Sequence, residues 1–176
     1  MDSIKERLPA SIKTDRLVLT TPTMAHAPDI ARLANNRRVH EMMARLPFPY
    51  TDADARFFIE HIVPTEAEHC LAVMLGGVDF MGIVGLSFGN DPAPELGYWL
   101  GENYWGRGYA TEAAAALVAA ARNAGYKALR SRALLHNARS RNVLRKAGFS
   151  EIGQATEAIN NLAGQQMMLM RLEFDR

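Results

Sequence analysis

A glycine turn between a strand-like run and an alanine-rich helix constrains this chain most. The segment YWGRGYATEA, residues 104–113, follows an apolar run at residues 95–101 and opens a helical pattern. Gly106 and Gly108 can adopt positive φ and let the backbone approach a ligand closely. The first N–H groups of a helix lack intrahelical partners, and Arg107 can add a fork of donors. The pattern therefore predicts a site for a diphosphate-bearing ligand at this turn.

Length and composition indicate one domain spanning residues 1–176, because 48% hydrophobic residues are enough for a sizeable core. The formal net charge of +1 gives no global field that favours nucleic acid or a membrane. The single cysteine, Cys70, excludes an intrachain disulfide, and a buried structural thiol is its expected role. No apolar run reaches about 18 residues and the N-terminus has no signal-peptide hydrophobic region. We therefore expect a soluble, cytoplasmic protein.

Apolar periodicity and turn residues predict a mixed α/β (α+β) fold. Three successive strands in the first half favour an antiparallel meander, and the order strand, helix, strand, helix, strand follows it. The predicted strands cover residues 16–21, 70–75, 80–88, 95–100, 129–135, 149–155 and 165–174. The predicted helices cover residues 24–35, from 51 or 52 to 63, from about 110 to the residue before Gly125, and 140–147. Residues 36–49 are expected to be irregular or briefly helical.

The glycine turn does not fit the common nucleotide-binding patterns. The phosphate-loop pattern GxxxxGK[ST] is absent, and the dinucleotide pattern GxGxxG fails because Thr111 stands at the third glycine. The next strand also lacks the acidic residue that would bind a ribose. A nucleotide-binding protein that uses the same turn stays open as an alternative.

Two further motifs stand in order around this turn. GYWLGENYWGRGYATEA covers residues 97–113, and HNARSRNVLRKAGF covers residues 136–149. With TDRLVLT at 14–20 and LPFPYT at 46–51, they resemble the GNAT superfamily of acyl-CoA-dependent N-acetyltransferases, and its RimJ/RimL-type branch in particular. Asn103 departs from the arginine or glutamine that the family usually carries. The resemblance implies a single-domain, mostly antiparallel, twisted sheet of about seven strands flanked by about four helices.

The resemblance implies acetyl-CoA as the acyl donor and no metal. It places the coenzyme diphosphate and pantetheine arm, chiefly through backbone groups, on Tyr98, Trp99, Leu100, Trp105, Gly106, Arg107, Gly108, Tyr109, Ala110 and Thr111. The Leu100 N–H is then placed to polarise the thioester carbonyl. Arg145, with Lys146, is implied near the 3′-phosphate, and a favourable charge at a helix C-terminus is the alternative.

Three further side chains carry the chemistry that the resemblance implies. Glu95 matches a general base, and the alternative is a solvated carboxylate at a strand edge. Ser140 matches a donor to the departing sulfur, and the alternative is a first-turn serine that satisfies backbone. Asn137 matches a coenzyme contact, and simple N-capping is its alternative. Glu112 is expected to orient the turn rather than act as a base.

The acceptor side is the least determined part of the sequence. By resemblance, residues 35–50 cover the acceptor, with candidate contacts at Arg38, His40, Glu41, Phe48 and Tyr50. Packing or solvation is the alternative for each of the five.

Met42 and Met43 are expected in the core. The partner is an amine-bearing small molecule or a protein N-terminus, not nucleic acid or a membrane, and a homodimer through residues 149–174 fits the resemblance. The alternatives are an amine or antibiotic acetyltransferase and a non-catalytic acyl-CoA sensor.

Overall fold

An eight-stranded sheet forms the centre of the computed structural model, which describes residues 4–175. The strands are β1 Ser11–Lys13, β2 Leu17–Thr20, β3 Glu68–Leu75, β4 Asp79–Ser87, β5 Glu95–Leu100, β6 Ala128–Leu134, β7 Ser150–Thr156 and β8 Gln166–Glu173. The α-helices are α1 Ala27–Ala34, α2 Arg37–His40, α3 Asp52–Phe57, α4 Tyr109–Ala124 and α5 Ala138–Lys146. This is the mixed, mostly antiparallel α/β architecture that the sequence predicts.

The strand order is β1-β2-β3-β4-β5-β6-β8-β7, and every neighbouring pair except β5 with β6 is antiparallel. The predicted meander is therefore confirmed. Within residues 4–175 the sheet has one strand more than predicted, β1, which pairs Ile12 with Leu19. A strand of three residues is too short to show a period of two, so the sequence gives no signal for it.

Helices cover both faces of the sheet. On β3, Leu71 and Val73 belong to the core beneath α4 and α5, whereas Ala72 and Met74 belong to the core shared with α1 and α3. Successive strand side chains point to opposite faces, so this alternation places β3 in the middle of three layers. On α4, Leu117 is fully buried against the first of these cores.

The helices differ from prediction mainly at their ends. The first begins with a 3-10 turn, Met24–His26, before α1, and α3 continues as a π-helical turn, Phe58–Ile62. α2 is a single turn within the stretch expected to be irregular or briefly helical, and the Asn36 side chain caps it by accepting from Arg38 N. Among the described residues, no helix combines the length and apolar character needed to cross a membrane.

Candidate active site

A cleft opens where β5 and β6 separate. The two parallel strands share one register pair, Glu95 with Arg130, and the cleft beyond that pair has a volume of ≈ 1310 Å³. Two hydrogen bonds that involve backbone carbonyls join the chain here: Arg130 N donates to Pro94 O at 3.0 Å, and Ser131 Oγ donates to Leu96 O at 2.8 Å.

The cleft collects most of the predicted site residues. Its lining includes Glu95, Tyr98, Trp99, Leu100, Trp105, Gly106, Gly108, Tyr109, Ala110, Thr111, Asn137 and Ser140.

The end of β5 presents backbone groups to this cleft. Gly101 N donates to Met81 O on β4 at 2.8 Å. Because successive N–H groups of a strand point to opposite edges, the Leu100 N–H points away from β4 and toward the cleft. The Leu100 carbonyl accepts from Trp105 Nε1 at 2.8 Å, which holds the indole beside the end of the strand. The backbone here can receive an extended chain as a strand would.

The glycine turn adopts the left-handed conformation that the sequence predicts. Gly106 and Gly108 have φ of 75° and 80°, and Gly108 is the N-cap of α4. The first intrahelical bond runs from Glu112 N to Gly108 O at 3.1 Å. The N–H groups of residues 109–111 precede that bond, and these residues line the cleft. The turn and helix end therefore offer free donors and a favourable dipole to an anion.

Glu112 lies on the far side of this turn. Its carboxylate accepts from Thr14 Oγ1 at 2.6 Å, from Arg16 N at 3.0 Å and from Arg16 Nε at 2.7 Å. Although burial acts to raise it, these hydrogen bonds hold the pKa of Glu112 below its ordinary value. The expectation that Glu112 orients the turn agrees with these contacts.

Ser140 contacts the side chain of Tyr98, a residue for which the resemblance implies a coenzyme contact through backbone groups. The Ser140 and Tyr98 hydroxyl oxygens are 2.9 Å apart, and Ser140 N donates to Asn137 Oδ1 at 3.1 Å. Asn137 therefore caps α5, as its alternative reading anticipated. Burial raises the pKa of Tyr98, against smaller opposing effects of Ser140 and Arg139. Strand alternation could have indicated this side-chain contact, because it places the Tyr98 side chain on the same face as α5.

Glu95 lies in a network of ion pairs. Its oxygens accept from Arg130 Nη1 at 2.9 Å and from Arg132 Nε at 3.1 Å. Arg132 Nη1 also donates to Oε2 of the buried Glu157 at 2.6 Å. Two guanidinium groups thus orient the carboxylate, a contact that sequence reasoning did not foresee.

Two predicted coenzyme contacts lie apart from the cleft lining. Arg107 is exposed, and Arg145 forms an ion pair with Glu151 at 2.5 Å. Arg141 joins the same carboxylate at 2.9 Å, so this basic end of α5 is tied to β7. The coenzyme contact that the resemblance implies for Arg145 stays a prediction, and its neighbour Lys146 lines the cleft.

Part of the predicted acceptor segment also lines the cleft. Arg38, Glu41 and Tyr50 are among the lining residues, whereas His40 and Phe48 pack against each other with ring centroids 5.5 Å apart. The expectation of a core position is wrong for Met42, which is 37% exposed and lines the cleft.

Trp105 lies beside this segment. The guanidinium groups of Arg38 and Arg139 stack on its ring at 5.5 and 5.1 Å from the ring centroid. The indole therefore connects the acceptor segment with the first turn of α5.

Cys70 is buried in β3, as predicted. Burial, with the neighbouring Glu68 charge, raises the pKa of its thiol to about 12. A thiol that stays protonated is a poor nucleophile, so direct transfer without a cysteine intermediate fits this site.

Comparisons with known proteins agree with this geometry. A family model described as "Acetyltransferase (GNAT) domain" matches residues 16–150. A search of curated protein sequences finds no significant match.

Among solved structures, the microcin C7 self-immunity acetyltransferase MccE, in complex with acetyl-CoA and AMP, is similar. It is 23% identical with a TM-score of 0.83, over 94% of this chain and 97% of that chain. The ribosomal L7/L12 α-N-protein acetyltransferase RimL, solved with coenzyme A, is 16% identical with a TM-score of 0.82, over 96% and 98%. Spermidine N-acetyltransferase from Vibrio cholerae, with CoA and spermine, is 17% identical with a TM-score of 0.77, over 91% and 96%.

At such identities these structures support the fold, whereas the family follows from the sequence model. Because that model matches more than half of the residues, the chain belongs to the GNAT acetyltransferase family and is an acyl-CoA-dependent N-acetyltransferase.

Proposed function

We propose that this protein transfers the acetyl group of acetyl-CoA directly to a primary amine, and that a protein or peptide N-terminal α-amine is the acceptor. One observation carries the proposal: the opening between β5 and β6 is lined both by the glycine turn of α4 and by residues of the acceptor segment. A donor and an acceptor held in one cleft gain the advantage of proximity.

The donor fits the backbone of the cleft. The free N–H groups of residues 106–111 suit the coenzyme diphosphate, and the exposed edge of Tyr98–Leu100 suits the peptide-like pantetheine arm. The Leu100 N–H then points at the thioester carbonyl and stabilises the negative charge that develops on its oxygen. MccE and RimL, whose structures hold acetyl-CoA and coenzyme A, support this placement through their shared fold.

The Ser140 hydroxyl is placed to assist the departing sulfur. A Ser hydroxyl has one proton, so if Ser140 donates it to the thiolate, Tyr98 supplies the hydrogen bond that Ser140 accepts. A thiol with an ordinary pKa near 8.5 is a good leaving group, so this help is modest in size.

The contacts of Glu95 bear on the choice of acceptor. Both of its oxygens already accept from guanidinium groups, so an amine that needs little help from a base suits this site. An α-amine has a pKa of about 7.7–8.0 and is partly neutral at pH 7, whereas a lysine-type amine near 10.4 is not. The site therefore suits an α-amine, with Glu95 receiving the proton directly or through water. This preference also favours the RimJ/RimL-type branch.

The assembly that fits this branch is a homodimer. β7 is an edge strand, and six of its seven residues are exposed. An exposed edge can pair with another strand, and a second copy of the chain offers the same edge. Analytical ultracentrifugation tests this, and a monomer at all concentrations would refute it.

The test of function measures release of the free coenzyme thiol from acetyl-CoA with a panel of peptides, amino acids and polyamines. We expect turnover with N-terminal α-amines and a loss of coenzyme binding in Gly108→Glu. Gly164→Glu is the matched control, because Gly164 also has positive φ (84°) but lies in the β7–β8 loop. Turnover with polyamines alone would refute the α-amine assignment. Coenzyme binding without acceptor-dependent release would indicate a sensor, and stronger binding of ATP or NAD than of coenzyme A would indicate a nucleotide-binding protein.

A further inference from the structure

Arg16 contacts the glycine turn from outside the cleft. It lies between β1 and β2, and its guanidinium donates from Nε to Glu112 at 2.7 Å and from Nη1 to the Arg107 carbonyl at 3.0 Å. The same group stacks over the Tyr109 ring at 4.5 Å from the centroid. One side chain thus holds the turn, the first helical residue and the first-turn carboxylate of α4 together.

The bond to the Arg107 carbonyl fixes the direction of the following N–H. In a trans peptide the C=O and the N–H point in opposite directions. Arg16 is not among the residues that line the cleft, whereas Gly108 is. With the Arg107 oxygen directed at Arg16, the Gly108 N–H is directed to the opposite side, where the anion site lies. The contact therefore orients a donor of the predicted diphosphate cradle.

The ion pair with Glu112 removes an unfavourable charge. Glu112 lies in the first turn of α4, close to the free N–H groups of residues 109–111. An unpaired carboxylate there would repel a diphosphate, and like charges at short range are poorly screened near a protein surface. Thr14 donates a further hydrogen bond to Glu112 but carries no charge, so Arg16 is the residue in contact that neutralises it.

We propose that Arg16 is a positioning residue for the acyl donor: it orients the Gly106–Gly108 turn and neutralises Glu112, so that the cradle binds the coenzyme diphosphate. This inference rests on the proposed function, because it assumes that coenzyme A occupies the cleft. It assigns the N-terminal hairpin a role in coenzyme affinity, although the hairpin residue itself does not face the ligand.

The test compares calorimetric dissociation constants for coenzyme A and for pantetheine, which lacks the diphosphate. The variants are Arg16→Gln, Glu112→Gln and the double variant. Arg122→Gln is the matched control, because Arg122 lies at the other end of α4 and stacks on Phe174. Circular dichroism melting of each variant measures its folding separately.

We expect Arg16→Gln to raise the dissociation constant of coenzyme A about tenfold and to leave that of pantetheine unchanged. A tenfold change is the size expected for the loss of one charge-assisted contact. The double variant should bind coenzyme A about threefold more tightly than Arg16→Gln, because the unpaired carboxylate is gone. If Arg16 only stabilised the fold, Arg16→Gln would weaken the binding of both ligands, and adding Glu112→Gln would not restore it. Coenzyme A affinity within twofold of the unmodified protein in Arg16→Gln, an equal loss for pantetheine, or no relief in the double variant would each overturn the inference. Failure of the unmodified protein to bind coenzyme A would instead overturn the proposed function.

Discussion

The hydroxyl pair of Ser140 and Tyr98 allows a quantitative test of how the leaving group is assisted. Removing the Ser140 hydroxyl should cost a hydrogen bond to a charged sulfur, about 1.5–3 kcal/mol, or a factor of about 10 to 100 in kcat. Tyr98 contacts Ser140 at 2.9 Å and acts through it, so Tyr98→Phe should cost one neutral hydrogen bond, about 1 kcal/mol or fivefold. If Tyr98 acts only by orienting the Ser140 hydroxyl, its own hydroxyl has no effect once Ser140 is alanine. The double variant should therefore have the same kcat as Ser140→Ala alone.

The assay is a double-mutant cycle on kcat, measured by thiol release from acetyl-CoA with the best acceptor found. Tyr126→Phe is the control, because Tyr126 is not among the residues that line the cleft, and the substitution should change kcat little. A pure effect on coenzyme binding would change KM and leave kcat alone. If the two losses simply add in the double variant, the hydroxyls act independently and the relay is refuted. An unchanged kcat in Ser140→Ala would refute the assignment of Ser140 itself.

Three further predictions follow from packing, titration and capping. Gly82→Ala should lower the free energy of unfolding by about 1–3 kcal/mol in urea titration, because an added Cβ would lie 2.0 Å from the Trp99 carbonyl oxygen; an unchanged midpoint would show that β4 and β5 can separate. Cys70 should resist thiol reagents at pH 8 until the protein unfolds, and labelling of the native protein would contradict its burial. Because its pKa is about 12 in the folded protein and ordinarily 9.0, the free energy of unfolding should fall as the pH rises above 9. Asn137→Ala should lower stability by about 1 kcal/mol through loss of the bond from Ser140 N, and Asn137→Asp should retain it; equal melting of the two variants would exclude capping.

The elements that the sequence predicts well are those defined by local signals. The bounds of β5 agree residue for residue, and Gly125, with φ of 106°, ends α4 where its position predicts. Both rest on side-chain period, positive φ and unpaired helix ends, which are properties of neighbouring residues. The glycine turn belongs to the same class, and its left-handed geometry is the part of the site that the sequence predicts best.

The parts that the sequence could not predict are contacts between distant residues. Glu95 pairs with Arg130 because β5 and β6 share a single register position, and no local pattern specifies which residues meet there. Arg16 reaches Glu112 across 96 positions of the chain. Each contact depends on the strand order and register of the sheet. The charged partners of a carboxylate can therefore be identified only once the topology is known.

β5 separates the two halves of the proposed reaction on its two faces. Glu95 and Trp99 share the face of α1 and α3, where the acceptor segment lies, whereas Tyr98 shares the face of α4 and α5, where Ser140 lies. Because side chains alternate along a strand, Glu95 and Tyr98, an odd number of residues apart, lie on opposite faces. The proposed proton acceptor and the tyrosine that contacts Ser140 are thereby separated by the strand. The Leu100 N–H points along neither face but out of the edge between them. A thioester carbonyl bound there could be attacked by the amine from one face and release its thiolate on the other. In the proposed reaction, the open edge of β5, rather than any single side chain, therefore sets the geometry for direct transfer.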